Sequence, residues 1–87
     1  MIYSTKLTSG ETILSEISTS NDYHTSLINP LIVSVVNGQL QTMPWPEFLK
    51  SPVHSIEINN STVVYSNTAE DSVLEQYDRV AKAVYGD

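Results

Sequence analysis

Histidine is the first place to look for chemistry in this chain, and it occurs only at His24 and His54. A metal centre built on both would need at least a third ligand, and the chain has no cysteine to supply one. The reading is therefore no metal and no cofactor. Asp22 precedes His24 by two residues, a spacing that would put both on one face at a strand start and permit an acid–base pair. No nucleophile in a recognisable setting accompanies them, so no residue is expected to be catalytic. Gly10 and Gly38 are isolated glycines that read as turns, not as a phosphate-cradling loop. Pro44-Trp45-Pro46 is different: a tryptophan held between two prolines is hard to bury deeply in a small core. Trp45 is either a contact residue at an interface, where tryptophan is enriched, or a lid over one open end of a barrel.

The elements that must position these residues are mostly strands. Ile2 to Leu7 alternates, with Ile2, Ser4 and Lys6 on one side and Tyr3, Thr5 and Leu7 on the other. Thr8 to Glu11 turns the chain through Gly10 into a second strand, Thr12 to Ser18. Ser20-Asn21-Asp22 turns it again into a long run from Tyr23 to Val36, where Pro30 forces a bend or bulge because proline cannot donate to the ladder. Asn37-Gly38 is the strongest hairpin signal. After the proline-rich stretch, Val53 to Ile58 alternates, and Asn59-Asn60 leads into Ser61 to Ser66. The last segment changes period: Ala69, Val73, Leu74, Tyr77, Val80, Ala81 and Val84 form one apolar stripe at helical spacing. Asn67 or Thr68 is the expected cap and Gly86 the stop. The sum is five to six short strands and one helix, whose stripe docks either on its own sheet or on a neighbouring subunit, in a mainly β, α+β domain built as a partly open barrel.

Composition bounds what such a domain does. The chain has 87 residues and a formal charge of −6, with four basic residues in all. At this size it is a single domain, residues 1–87, that buries too little surface to fold comfortably alone, and without cysteine no disulfide helps. Oligomerisation is the natural supplement. Four basic residues cannot build a wide phosphate-binding surface within one subunit. Serine and threonine together number 20, which suits strands better than helices. No apolar run is long enough to span a membrane and the N-terminus lacks a signal pattern, so a cytoplasmic setting is expected.

The order of these pieces resembles the Sm-like family. Leu7-Thr8-Ser9-Gly10-Glu11-Thr12-Ile13 and Ile17 fit the opening of the first Sm motif, and Asp22-Tyr23-His24-Thr25-Ser26-Leu27 fits its Asp-x-x-Met-Asn-Leu stretch, identical at Asp22 and Leu27. Ile58-Asn59-Asn60-Ser61-Thr62-Val63 has the frame of the second motif, with Asn-Asn where the family has Arg-Gly. The sequence is also similar to small Sm-like proteins of cyanophage, which would make the setting a host-cell cytoplasm.

The resemblance implies a strongly bent five-stranded antiparallel barrel over residues 2–66, with a C-terminal helix over 69–85 in place of the family's helix before the first strand. It implies subunits paired edge to edge in a ring, so the partner is the chain itself, and a non-enzymatic scaffold or interaction module follows. Leu31, Val33, Trp45, Val63 and Tyr65 are the candidate interface residues, on the long third strand, the Pro-Trp-Pro segment and the last strand. RNA is the alternative partner. Carried over from the family, its bases would meet Tyr23, His24, Ser26, Asn59 and Asn60, with Ser26 where the family has Asn. Copies of Lys6 or Lys50 around a ring could line one pore.

Overall fold

The computed structural model describes residues 1–46 and 49–86. Its strands are β1 (Tyr3–Leu7), β2 (Thr12–Ser20), β3 (His24–Val36), β4 (Gln39–Pro44), β5 (Ser55–Asn59) and β6 (Val63–Thr68). A 3-10 turn at Asn60–Thr62 separates β5 from β6, and the helix α1 (Asp71–Tyr85) closes the chain. All pairings are antiparallel, in the order β4-β3-β2-β1-β6, and β5 also pairs with β3. The sheet is bent but not closed: among the described residues nothing pairs with the outer sides of β4, β5 and β6. The expected mainly β, α+β architecture of antiparallel strands and a C-terminal helix is present, with six strands where the family resemblance implies five and with the sheet not closed into a barrel.

The extra strand comes from one interruption. β5 pairs with His24 to Ile28 and β4 with Leu31 to Val36, so the two lie end to end along β3 like one strand broken by the Trp45–His54 segment. The break sits at the bulge that Pro30 dictates. Between the Glu16–Ile28 and Leu14–Leu31 pairs, β3 spends one residue more than β2. Asn29 takes up the excess at φ 50°, a left-handed conformation that asparagine tolerates better than most residues.

That extra residue reverses which side of β3 faces inward, and it divides the core in two. On the concave side Leu7, Ile13, Leu27 and Ile58 are buried, with Ile17, Ile32, Ile56, Val63 and Trp45 packed against them. On the other side Leu14 and Leu31 meet Tyr77 of α1, flanked by Ile2, Val33, Val73, Val80 and Ala81. The alternation of Ile13 with Leu14, and of Leu31 with Ile32, gives each face its own apolar set. The apolar stripe of α1, the face its spacing predicts, docks on the chain's own sheet and not outward toward a neighbouring subunit.

Both ends of α1 have physical reasons. β6 continues through Thr68, so Asn67 and Thr68 belong to a strand and the expected cap moves to Glu70, which makes no side-chain capping bond. Gly86, at φ 79°, ends the helix with its N–H on the Lys82 carbonyl. No described helix is long and apolar enough to cross a membrane.

Candidate functional site

Two turns distant in sequence meet at one corner of the sheet. Asn21 Oδ1 accepts from the backbone N–H groups of Tyr23 and His24, each at 2.8 Å, which shapes the turn between β2 and β3. On the facing turn, Asn59 Oδ1 accepts from the N–H of Ser61 at 2.9 Å, and Thr62 Oγ1 donates to the Asn59 carbonyl at 2.7 Å. Asn60 joins the two. Its N–H donates to the Tyr23 carbonyl, its Nδ2 to the Asn21 carbonyl, and its Oδ1 accepts from Thr25 Oγ1, all at 2.7 Å.

The outer surface of this corner carries the side chains that could meet a ligand. His24 stands directly opposite Asn59, and Ser26 opposite Glu57, in the β3–β5 register. Residues on alternate positions share a face, so His24, Ser26, Glu57 and Asn59 line one side, while Leu27, Ile56 and Ile58 fill the core on the other. Tyr23 is 73% exposed beside them. The corner offers an aromatic ring for stacking, an imidazole, and the amide nitrogen of Asn59 as a donor. It also sets the Glu57 carboxylate beside Ser26, where a phosphate would be repelled.

The five RNA-facing candidates divide accordingly. His24, Ser26 and Asn59 share one face and Tyr23 is exposed in the adjoining turn, whereas the Asn60 side chain is committed to holding the two turns. Asn21, Thr25 and Glu57 complete the corner without having been singled out in the sequence. Asn21 has a readable signal, an Asx turn ahead of a strand; Thr25 and Glu57 become neighbours of the site only through pairing. The Lys6 ammonium donates to the Gly10 carbonyl at 2.9 Å, in its own hairpin.

The interface candidates also divide. Leu31 is fully buried beneath α1 and Val33 packs into the same cluster, so Leu31 is corrected from contact residue to core residue. Val63 packs on the concave core. Trp45 leans on that core as well, its indole N–H donating to Glu11 Oε2 at 3.0 Å and its backbone N–H to the Pro30 carbonyl at 3.1 Å. Tyr65 remains 53% exposed on the open strand β6, next to Val64 at 60%.

His24 and His54 occupy opposite ends of the β3–β5 pairing. The His54 ring lies 5.3 Å from that of Tyr85, and its carbonyl accepts from Asn29 N–H. Among the described residues no three His, Cys, Asp or Glu side chains gather as a metal site. Asp22 and His24 are both exposed. Away from this corner, burial shifts the titration of two phenols, Tyr77 and Tyr85. Burial chiefly, then the nearby Glu16, Tyr85 and Asp78, push the Tyr77 phenol up to about 12, and burial raises that of Tyr85. No known family model matches the chain, and no curated protein matches its sequence.

Proposed function

We propose that this protein is a non-enzymatic, Sm-like scaffold that assembles with copies of itself, edge to edge, into a ring. The observation that carries the reading is the pair of open sides, one along β4 and β5 and one along β6. Unpaired strand edges are templates for another strand, and small proteins that leave them bare usually cover them in an assembly. Val64 and Tyr65 add exposed apolar surface on β6, and Met43, Val35 and Val36 do so around the β3–β4 hairpin. Each subunit would recover through these edges the burial that 87 residues lack.

Sedimentation across a micromolar concentration series tests the reading. Self-association is expected in the unmodified protein, and the double variant Val64→Glu, Tyr65→Glu should weaken it at least about tenfold with the circular dichroism unchanged, since a charge desolvated at an edge is costly. A stable monomer at micromolar concentration overturns it.

A second reading, single-stranded RNA binding around such a ring, is favoured by the cross-strand pair His24–Asn59 beside the exposed ring of Tyr23. Fluorescence anisotropy with U-rich and A-rich oligonucleotides at low salt separates the two. Binding that is lost in Tyr23→Ala supports the RNA reading, and no binding in low salt, where phosphate contacts are strongest, disposes of it.

A further inference from the structure

The open side of β4 is not entirely bare. Asn37-Gly38 is a two-residue turn with both residues at positive φ, so the flanking pair Val36–Gln39 is hydrogen-bonded, and bonded pairs recur at Ser34–Gln41 and Ile32–Met43. The backbone groups of Leu40, Thr42 and Pro44 therefore point away from β3. Pro44 has no N–H to offer. The Leu40 carbonyl is taken: Gln76, on α1, donates its Nε2 to it at 3.1 Å.

We infer that Gln76 is a latch on the assembly edge, through which α1 regulates self-association of the chain. The inference rests on the edge-to-edge reading above and names its control point. A strand arriving on β4 needs the Leu40 carbonyl as the first acceptor beyond the hairpin, and its backbone would occupy the space where the Gln76 amide sits. The neighbouring residue Tyr77 anchors α1 through its bond to the Asn29 carbonyl, so the helix presents Gln76 to the edge while the side chain alone can swing away. The latch is weak by construction. Holding a long side chain in one rotamer offsets much of what a single partly exposed hydrogen bond contributes. It slows and weakens pairing without forbidding it, which suits an edge that should be quiet in the free subunit and available to a correct partner.

Three proteins compared by sedimentation velocity test this: unmodified, Gln76→Met and Gln76→Lys. Methionine keeps length and helix propensity but cannot donate; lysine can still reach and donate to the carbonyl. Circular dichroism should be the same for all three. Self-association of Gln76→Met is expected to be about two- to tenfold tighter than that of the unmodified chain, the scale of one modest hydrogen bond, and that of Gln76→Lys no tighter. Equal self-association of all three overturns the latch and leaves the edge reading standing. Three monomers overturn both.

Discussion

The hydroxyl of Tyr77 donates to the backbone carbonyl of Asn29 at 2.8 Å, joining the middle of α1 to the bulge at which β3 exchanges β5 for β4 as its partner. Tyr77 is 4% exposed and is the one residue of α1 that is fully buried. Tyr85 makes a second tie one residue on, to the Pro30 carbonyl. The helix is thus fastened where the sheet is least regular: the Asn29 carbonyl receives the Tyr77 hydroxyl, and the Pro30 carbonyl receives the Tyr85 hydroxyl in addition to the Trp45 N–H.

Replacing this phenol should lower stability and change its response to alkali. Tyr77→Phe leaves the Asn29 carbonyl without its donor and is expected to cost about 1–2 kcal/mol in urea unfolding. The pH dependence follows from the shift. The folded-state value is raised to about 12 from 10.0, so the folded chain holds the proton where the unfolded chain has released it. The stabilisation is complete below pH 10 and is lost as pH rises through about 12, giving a negative slope of stability against pH in that window. In Tyr77→Phe that slope should be markedly shallower, with a remainder from Tyr85. An unchanged slope would remove Tyr77 as its source.

Asn29 itself should be specific in what it tolerates. At φ 50° a side chain with a branched β-carbon is strained, so Asn29→Val is expected to destabilise by about 2 kcal/mol or more. Asn29→Gly should stay within about 1 kcal/mol of the parent, because glycine adopts that conformation freely and the substitution deletes a buried Oδ1 that has no partner among the described residues. Equal losses in the two variants would show that the backbone conformation is not what selects asparagine.

How much of this was legible in the sequence depends on the range of the interaction. Pro30 announces the bulge, Asn37-Gly38 the hairpin and Gly86 the helix end, because each acts through its own backbone. The stripe from Ala69 to Val84 announces a docked helix, since periodicity needs no partner to be read. What pairs across distance is not written locally. Nothing near Leu31 tells it from Ile32, yet the residue inserted at the bulge sends one under α1 and the other into the concave core. Likewise Asn59 and Asn60 look alike in sequence, and only the meeting of two turns makes one a clamp and leaves the other's amide nitrogen outward.

Ser15 marks a position where the chain is less stable than it could be. It is completely buried, and its Oγ has no hydrogen-bond partner among the described residues. A buried hydroxyl without a partner costs about 1–3 kcal/mol relative to an apolar group of similar shape. Ser15→Ala is expected to recover about 1 kcal/mol of that and raise the melting temperature by about 4–8 °C, as is usual for a domain of this size. A fall in melting temperature would mean that the hydroxyl has a partner in solution, most simply an internal water.

The corner formed by Asn21, Asn59 and Asn60 separates structure from recognition in one pair of substitutions. Asn60→Ala removes the bonds to Thr25 Oγ1 and to the Asn21 carbonyl, so it should cost about 1–3 kcal/mol and speed amide exchange across the β2–β3 turn. Asn59→Ala removes only the cap on Ser61 N–H, a loss of about 1 kcal/mol at most in an exposed turn. If the RNA reading holds, oligonucleotide affinity responds in the opposite order at a temperature where both variants are fully folded. Asn59→Ala takes away an exposed amide beside His24 and should weaken such binding several-fold, while Asn60→Ala acts only by loosening the turn that carries Tyr23. Greater thermal destabilisation by Asn59→Ala, measured by calorimetry, would invert these assignments and place the clamp on the other asparagine.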